Sequence, residues 1–172
     1  RYTLGPLTMT YRIVPMAPEH IASFRETSDA VFRESQMFAF FEAPPIAHVT
    51  EFVLGIIRNN EPQFVAICGD TVIGWCDILL KPRPAMRHTG VLGIGVLSSY
   101  RGQGIGKALL ETTLNAAKNK GLTRIELYVR TDNERAIKLY EKFGFVVEGV
   151  LRKHMLIGGA YRESYLMSVL YE

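Results

Sequence analysis

The stretch SSYRGQGIGKALLETTL, residues 98–114, decides the fold predicted for this chain. It places three glycines within five residues between Arg101 and Lys107, and a helical pattern of apolar residues follows at once. Glycine allows a ligand to approach the backbone closely, and the first N–H groups of a helix point outward at the positive end of its dipole. The stretch therefore predicts a site for an anion, above all a phosphate, with two basic side chains beside it.

Two well-known phosphate loops do not fit this stretch. A Walker-type nucleotide loop needs a hydroxyl residue after its Gly-Lys pair, and Ala108 stands at that position. It also needs a glycine where this chain has Arg101. The dinucleotide fingerprint needs two residues between its second and third glycines, whereas Gly102, Gly104 and Gly106 are separated by one residue each. The loop therefore supports neither ATP hydrolysis nor dinucleotide binding.

The residues on either side of the loop predict strands and helices in a mixed order. Apolar residues that alternate indicate strands, and a period of 3.6 residues bounded by Asn, Pro or Gly indicates helices. The expected order is β-α-α-β-β-β-α-β-α-β-β, which describes one mixed sheet with helices on its faces. The expected elements are a strand at 11–16, helices at 18–35 and from 45, a hairpin turning at Gly69-Asp70, a strand at 88–97, a helix ending near 120, a strand at 123–129, a helix at 133–144, and a hairpin turning at Gly158-Gly159.

The composition fits one ordinary domain. The chain has 172 residues, of which 48% are hydrophobic and 22% are charged, and no apolar run approaches the roughly 18 residues that a membrane helix needs. A natural start at Met9 would make residues 1–8 an extension and residues 9–172 a single domain. The net charge is +3 and the basic residues are scattered, without the stripe typical of a nucleic-acid binder. We therefore expect neither a nucleic acid nor a membrane as partner.

The two cysteines are expected to stay reduced. With a two-residue turn after it, Cys68 would pair across a hairpin with Thr71, and Cys76 would pair with Gln63, far from Cys68. A disulfide between them is therefore not expected, and a reducing, cytoplasmic setting fits best. Two cysteines and four scattered histidines show no spacing typical of a metal site, so no metal is expected.

Two motifs together resemble those of the GNAT superfamily, whose members transfer acyl groups from acyl-CoA to amines. The first is the pattern Arg/Gln-x-x-Gly-x-Gly/Ala, which occurs here at Arg101, Gly104 and Gly106. The second is NERAIKLYEKFGF, residues 133–145, which resembles the family's Asn-x-x-Ala-x-x-x-Tyr-x-x-x-Gly-Phe signature. The resemblance is weak before residue 63 and close from residue 91 onward. It implies an acyl-CoA-dependent N-acetyltransferase.

The resemblance also implies a fold. It is an α/β (α+β) fold with a central, mixed and mostly antiparallel sheet of seven strands, flanked by about four helices. The fourth and fifth strands, expected here at 91–97 and 123–129, would begin side by side and then splay apart. A β-bulge at Gly93 or Gly95 is expected to help open that gap, because glycine within a strand often marks a bulge or a close approach of the backbone.

Acetyl-CoA is the cosubstrate that the resemblance implies. Its diphosphate would lie on the glycine loop, its pantetheine arm would pair with the splayed strand, and a backbone N–H near Val96 would stabilise the developing oxyanion. The expected cofactor-binding residues are Ile94, Gly95, Val96, Arg101, Gly102, Gln103, Gly104, Ile105, Gly106, Lys107, Asn133 and Ala136.

In this family the amine attacks the thioester directly, so no nucleophilic side chain is required. Tyr140 of the second motif is the expected catalytic residue, as proton donor to the leaving thiolate, and the alternative is a helix tyrosine that only packs on the sheet. The general base stays unassigned, because Tyr128 stands where some branches of the family have a glutamate. Glu126, Glu34, Glu42 and a chain of waters are the alternatives.

The segment QMFAFFEAPP, residues 36–45, falls where family members line the acceptor site. Phe38, Phe40 and Phe41 would form an apolar wall with Glu42 at its rim, and Tyr128 would face the same site. Core packing between two helices is the alternative for the phenylalanines.

The expected function is acetyl transfer to a primary amine of a small molecule, an amino acid for preference. Within the same class the alternatives are the α-amino terminus of a protein and a polyamine. A polyamine is disfavoured because the segment 36–45 is richer in phenyl rings than in carboxylates. From another class, the alternative is a non-catalytic CoA-binding regulatory module. Homodimers are common in the family, so a homodimer is one expected state.

Overall fold

The computed structural model describes residues 9–172, which form one sheet of seven strands. The strands are β1 (Arg12–Pro15), β2 (Gln63–Cys68), β3 (Thr71–Leu80), β4 (Thr89–Val96), β5 (Arg124–Arg130), β6 (Val146–Ile157) and β7 (Ala160–Leu170). The sheet order is β1-β2-β3-β4-β5-β7-β6, with β4 and β5 parallel and the other neighbours antiparallel. The expected mixed, mostly antiparallel sheet is confirmed. Residues 1–8, expected to be an extension, lie outside the described residues.

In the part of the chain that the structure describes, four α-helices cover the two faces of the sheet. They are α1 (Ile21–Ser35), α2 (Ile46–Arg58), α3 (Ile105–Asn119) and α4 (Glu134–Lys142). α1 and α2 pack on one face, in a core that includes Val65 and Trp75. α3 and α4 pack on the other face, in a larger core that includes Ile125 and Met167. The order of strands and helices is the one that the sequence predicts.

The hairpin of β2 and β3 turns where the sequence predicts. Gly69 adopts φ +60°, a conformation that glycine reaches without strain. Cys68 pairs with Thr71 directly beside the turn, as expected. Both cysteines are free thiols.

A β-bulge in the middle of this hairpin changes the pairing farther from the turn. Beyond the bulge the register shifts by one residue, so Cys76 lies opposite Phe64. The expected pairing of Cys76 with Gln63 is therefore wrong, because a bulge sets two residues of one strand against one of its neighbour. Gln63 lies instead opposite Asp77, which brings two polar side chains together within the sheet.

β4 and β5 begin as a parallel pair and then separate. Their pairing is confined to residues 89–91 of β4 and 124–126 of β5. Beyond Val91, β4 continues to Val96 beside β3, and β5 continues to Arg130 beside β7. The expected splay is therefore confirmed, and a gap opens along the C-terminal half of β4.

The glycines of β4 do not open this gap through a bulge. The pairing of β4 with β3 is regular from Gly90 to Val96, so the bulge expected at Gly93 or Gly95 is wrong. Gly95 serves a close approach instead, since a Cβ there would lie 2.3 Å from the indole of Trp75. The gap opens between two strands that each keep a regular partner on their other side, β3 for β4 and β7 for β5.

Gly95→Ala is expected to lower the free energy of unfolding by about 1–3 kcal/mol, the usual cost of extra volume in a packed core. The Trp75 ring is held edge-on by Phe24 at 5.7 Å and by Phe32 at 5.9 Å, so it has little room to move. Urea unfolding measures the change. Gly149→Ala in β6 is the matched control, because a Cβ there would meet no atom within 4 Å. Equal stability of the two variants would contradict the close approach.

Candidate active site

The glycine loop presents bare backbone at the start of α3. Gly104 is the N-cap residue, with φ +83°, and a Cβ on it would meet no atom within 4 Å. The Ala108 N–H donates to the Gly104 carbonyl at 3.0 Å. The N–H groups of residues 105–107 come before this first helical bond, so they have no partner within the helix. The loop therefore has the open space and the donors that a diphosphate requires.

Arg101 lies at the loop, but its guanidinium is already engaged. Nε donates to the Val96 carbonyl at 2.9 Å, and Nη2 forms an ion pair with Glu34 at 2.8 Å. The residue therefore ties the loop to the end of β4 and to α1. Its charge is matched by a carboxylate, so it adds less positive potential than the sequence suggests.

Two other basic side chains lie close to the loop. Lys107 is exposed in the first turn of α3, which carries no acidic residue. Nη2 of Arg135, from α4, lies 3.4 Å from the place that a Cβ on Gly102 would take. Gln103 donates weakly back to the Ser99 carbonyl, at 3.4 Å. The positive potential of the loop therefore comes from the α3 N-terminus, Lys107 and Arg135.

The backbone of β4 is available to a ligand in the gap at alternate residues. The Leu97 N–H donates to the Ile73 carbonyl at 2.9 Å, which sets the phase of the β3–β4 ladder. Since antiparallel pairs alternate, the backbone groups of Gly95 face β3. Those of Ile94 and Val96 point the other way, into the gap. Three residues, 94–96, were expected to pair with a pantetheine arm. Because the N–H of Gly95 faces β3, this residue would not donate to the arm, and its role is to keep the position free of a side chain.

Tyr140 lies in the core between α4 and the sheet. It is 8% exposed, and its ring lies 5.8 Å from that of Phe145. Burial raises the pKa of its phenol, and the nearby Cys76 thiol raises it further. Cys76 lies directly opposite Ile94 of β4. The phenol is therefore protonated at neutral pH and lies near Cys76 on the α3–α4 face, level with Ile94 of β4.

Asn133 caps α4. Its side-chain oxygen accepts a hydrogen bond from the Ala136 N–H at 3.3 Å, and the Asn133 carbonyl accepts one from the Ile137 N–H at 3.1 Å. Gly106 of α3 lies near Leu139, 3.9 Å from a Cβ built on the glycine. The second motif therefore holds α4 close to the first turn of α3.

The glutamates considered as general base are each bound by basic side chains. Glu126 is buried opposite Val91, at the closed end of the gap, where Lys81 and Arg124 both pair with it. Glu34 pairs with Arg101 at the loop. Glu42, which is 66% exposed, pairs with Arg33 at 2.7 Å. The structure therefore places none of the three with a free carboxylate in the gap.

An aromatic cluster covers the outer half of β4 on the α1–α2 face. Its rings lie between 5.2 and 6.1 Å from their neighbours, and its members are Phe24, Phe32, Phe38, Phe40 and Trp75. Phe38 is half-buried in it, whereas Phe41 is 61% exposed. Phe38 and Phe40 therefore lie in one cluster, and Phe38 packs against the core, as the alternative interpretation predicts. Their role as a wall of the acceptor site stays a prediction.

Tyr128 lies on the same face of β5, beyond the point where β4 and β5 separate. Its ring is exposed and lies 5.4 Å from that of His154. His154 Nδ1 is 2.9 Å from Ser164 Oγ. Arg130, one alternation farther along β5, is buried and donates to the Gln36 carbonyl at 2.8 Å. This bond ties the segment 36–45 to the end of β5, where β5 lies apart from β4.

The model of the acetyltransferase (GNAT) family matches residues 24–145, which is more than half of the chain. The chain belongs to this family.

Curated relatives of this GNAT protein act on amines, according to their names. The L-amino acid N-acetyltransferase AaaT of Escherichia coli is 36% identical over 112 residues, which are 64% of this chain and 69% of that protein. An N-alpha-acetyltransferase of Sulfurisphaera tokodaii is 37% identical over 126 residues, 68% of this chain and 74% of the relative. A Salmonella typhimurium putative acetyltransferase, solved with its cofactor acetyl-CoA, shares the fold at a TM-score of 0.89 and 15% identity, with 95% of each chain covered.

The GNAT protein is therefore an enzyme, an acetyl-CoA-dependent N-acetyltransferase. The expected activity is confirmed at this level, and the alternative of a non-catalytic module is set aside. No described helix is long and apolar enough to cross a membrane. Within residues 9–172, no three His, Cys, Asp or Glu side chains are placed to hold a metal ion.

Two residues of this GNAT site were missed in the sequence. Arg135 sits inside the second motif, and only the packing of α4 against the loop brings it to Gly102. Asp77 is the one charged residue in the mostly apolar strand TVIGWCDILL, and a lone carboxylate in such a strand could have been noticed in the sequence. It is 7% exposed, lies opposite Gly93, and accepts a hydrogen bond from Gln63 Nε2 at 3.3 Å. Burial raises the pKa of Asp77 to about 7.

Proposed function

We propose that this acetyltransferase acetylates the α-amine of a small molecule, an amino acid for preference, by direct attack in a ternary complex. The observation that carries the proposal is that the acidic groups around the acceptor face, apart from the buried Asp77, are neutralised by basic side chains. Glu34, Glu42 and Asp132 each pair with an arginine, and Glu126 pairs with a lysine and an arginine. A polyamine site needs carboxylates with charge to spare, so this face is better suited to an acceptor with a single amine and an apolar body.

Acetyl-CoA fits the loop and the gap. Gly104 leaves open space before the α3 N-terminus, and Lys107 and Arg135 add positive charge at the same place. The loop N–H groups would hold the diphosphate, and Asn133 and Ala136 would hold the start of α4 beside it. The bound cosubstrate supplies an acetyl group activated as a thioester.

The chain's own groups would do the rest. The N–H groups of Ile94 and Val96 point into the gap and would donate to the thioester oxygen, and one such donor typically contributes a few kcal/mol to stabilising the transition state. Tyr140 would donate its phenolic proton to the leaving sulfur. Since its pKa lies above that of a thiol, the transfer requires that Tyr140 regain a proton in the same event. The attacking nitrogen, which must lose one, can provide it.

The aromatic cluster and Tyr128 would hold the body of the acceptor. Phe38 and Trp75 border the outer half of β4, and Phe40 is 53% exposed beside them. Tyr128 and His154 face the same side of the sheet from β5 and β6. The names of the relatives, which specify an L-amino acid and an N-alpha acceptor, support an α-amine. The same names keep the amino terminus of a protein as the second candidate.

An acceptor panel tests the assignment. We expect kcat/KM for L-phenylalanine and L-leucine to exceed that for spermidine by at least about tenfold, which corresponds to about 1.4 kcal/mol of apolar contact. Release of free CoA measures turnover, and mass spectrometry locates the acetyl group. A peptide with a free amino terminus is the comparison for the second candidate. A preference for spermidine would overturn the proposal, and a preference for the peptide would replace it with N-terminal acetylation.

A further inference from the structure

Asp77 and Tyr140 lie on opposite faces of β4, at adjacent positions along the gap. Asp77 is directly opposite Gly93, and Cys76, which neighbours Tyr140, is directly opposite Ile94. Tyr140 belongs to the core on the α3–α4 face. Asp77 shares the other face with Trp75, since residues two apart in a strand point the same way. A thioester in the gap would therefore have a phenol on one side and a carboxyl group on the other.

The carboxyl group of Asp77 borders open space over Gly93, on the α1–α2 face of β4 beside the gap. A Cβ built on Gly93 would meet Oδ1 of Asp77 at 3.2 Å and, within residues 9–172 and apart from its chain neighbours, no other atom within 4 Å. Gly93 comes two residues after Val91, where β4 parts from β5. A side chain at position 93 would fill the space that an acceptor amine must enter. The glycine therefore leaves the carboxyl group accessible from the point where the acyl end of the cosubstrate would lie.

We propose that Asp77 is the general base, which takes the proton that the acceptor ammonium loses before it attacks. The proposal rests on one part of the proposed function, namely that the acceptor is an amine that arrives protonated. It requires no particular amino acid.

The groups around Asp77 leave it able to titrate near neutral pH. Its pKa is raised to about 7 by burial and by the neighbouring Glu61, and the hydrogen bond from Gln63 opposes the rise. The buried faces of α1 and α2, which cover this side of the sheet, carry no charged residue. The next carboxylate along the face, Glu126, is bound by Lys81 and Arg124. Asp77 is therefore ionised, and able to accept a proton, above about pH 7.

A cleft gives this proton a route to the solvent. It has a volume of about 420 Å³ and lies between α2, α3 and the start of β2. Gln63 and Glu61 both line it, and Gln63 Oε1 is a buried oxygen without a hydrogen-bond partner among the described residues. Protonated Asp77 can donate to this oxygen if the amide turns over. Gln63 is therefore a positioning residue for the carboxyl group.

The protons balance over the whole reaction. The acceptor begins with three protons on nitrogen, an N–C bond forms, and the C–S bond breaks. One proton goes to Asp77 and then to the solvent. A second passes through Tyr140 to the CoA sulfur, and the third stays on the amide nitrogen. No oxidant, reductant or metal is required.

Kinetics of Asp77→Asn on two acceptors test the role. For a primary amine that the wild type acetylates, we expect kcat/KM at about pH 7.5 to fall by about 10²-fold or more, the usual contribution of a general base. For phenylacetohydrazide, whose terminal nitrogen is uncharged at this pH, we expect a loss below about tenfold, because no ammonium must be deprotonated. The wild-type rise of kcat with pH, centred near 7, should disappear in the variant. Glu126→Gln is the control, a second buried carboxylate of this face, and should keep the ratio between the two acceptors.

Stability provides a readout that needs no cosubstrate. A carboxyl group whose pKa is raised on folding destabilises the folded protein as the pH rises. The loss occurs between the pKa of the group in the unfolded chain, near 4, and its pKa in the folded protein, about 7. Asp77→Asn should therefore melt at a higher temperature than the wild type at about pH 8, and the difference should vanish near pH 4. The amide that this substitution introduces can also donate to Gln63 Oε1, which favours a folded variant.

A variant that is more stable at about pH 8, binds acetyl-CoA as the wild type does, and loses turnover selectively on the ammonium acceptor would establish the role. Equal losses on the two acceptors, or a pH profile of the variant still centred near 7, would overturn it. Each comparison is the ratio of the variant's activity to that of the wild type on an amine that the wild type acetylates. If the proposed class of acceptor were wrong, the acceptor panel would show it, and this test of Asp77 would still be valid.

Discussion

Gly104→Val is expected to lower the affinity for acetyl-CoA by about 10²-fold or more. A branched side chain would fill the open space before the α3 N-terminus, where no atom now lies within 4 Å of a Cβ. The diphosphate would then lose two or three hydrogen bonds from backbone N–H groups. Bonds to a charged group contribute about 1.5–3 kcal/mol each, and about 1.4 kcal/mol is a factor of ten. Isothermal calorimetry measures the affinity.

The same helix provides the control for this change. Gly121 lies at the other end of α3 with φ +84°, and a Cβ there also meets no atom within 4 Å. Gly121→Val therefore carries the same backbone strain as Gly104→Val, whose φ is +83°. We expect both variants to lose similar stability and only Gly104→Val to lose the rise in melting temperature that acetyl-CoA produces. Retained binding by Gly104→Val would limit the glycine to a structural role.

Tyr140→Phe is expected to lower kcat by about 10²-fold while the dissociation constant of acetyl-CoA stays within a factor of about two or three. The ring remains, so the packing against Phe145 is preserved. The hydroxyl is lost, and with it the relay between the attacking nitrogen and the leaving sulfur. Steady-state kinetics on the best acceptor of the panel and calorimetry on acetyl-CoA give the two quantities.

Tyr165→Phe is the matched control for Tyr140→Phe. Tyr165 packs against the same core from β7, on the α3–α4 face. Its hydroxyl has no role in the proposed transfer, so its removal should leave kcat within about a factor of two. Unchanged turnover in Tyr140→Phe would assign the proton to another donor and leave Tyr140 as a packing residue. A loss in both variants would point to the core rather than to the phenol.

The two proposed proton carriers show why the splayed sheet suits this reaction. A β-strand sends alternate side chains to opposite faces. Where β4 leaves β5, a substrate in the gap can be reached from both faces at once. Tyr140 reaches it from the α4 side, and Asp77 reaches it along the other face from β3. Regular pairing of the two strands would close the gap and separate these groups from any ligand.

Some of the site could be predicted because its cause is local. Gly104 with φ +83°, the helix that opens behind it, and the Asn133 cap each depend on residues a few positions away. Local preferences of this kind appear in the sequence as motifs. The strands and helices were predicted within a few residues of their ends for the same reason.

Other parts depend on residues far apart in the chain. The bulge in the β2–β3 hairpin, which lies beside Gly74, moved Asp77 opposite Gln63. Gly95 was expected to form a bulge, but its role depends on the indole of Trp75 in the neighbouring strand. Arg101, expected at the phosphate, is held by Glu34 of α1, 67 residues away.

The sequence by itself determined the glycine loop before α3, the mixed sheet and, through two motifs, acetyl transfer from a CoA thioester. These follow from short-range backbone preferences and from the period of apolar residues, which each stretch of chain carries on its own. Only the tertiary structure decided which carboxyl group lies in the gap. The reason is physical: a carboxylate can serve as a base only where its neighbours leave its charge unmatched. Whether a distant arginine or lysine reaches it is settled by how strands and helices pack.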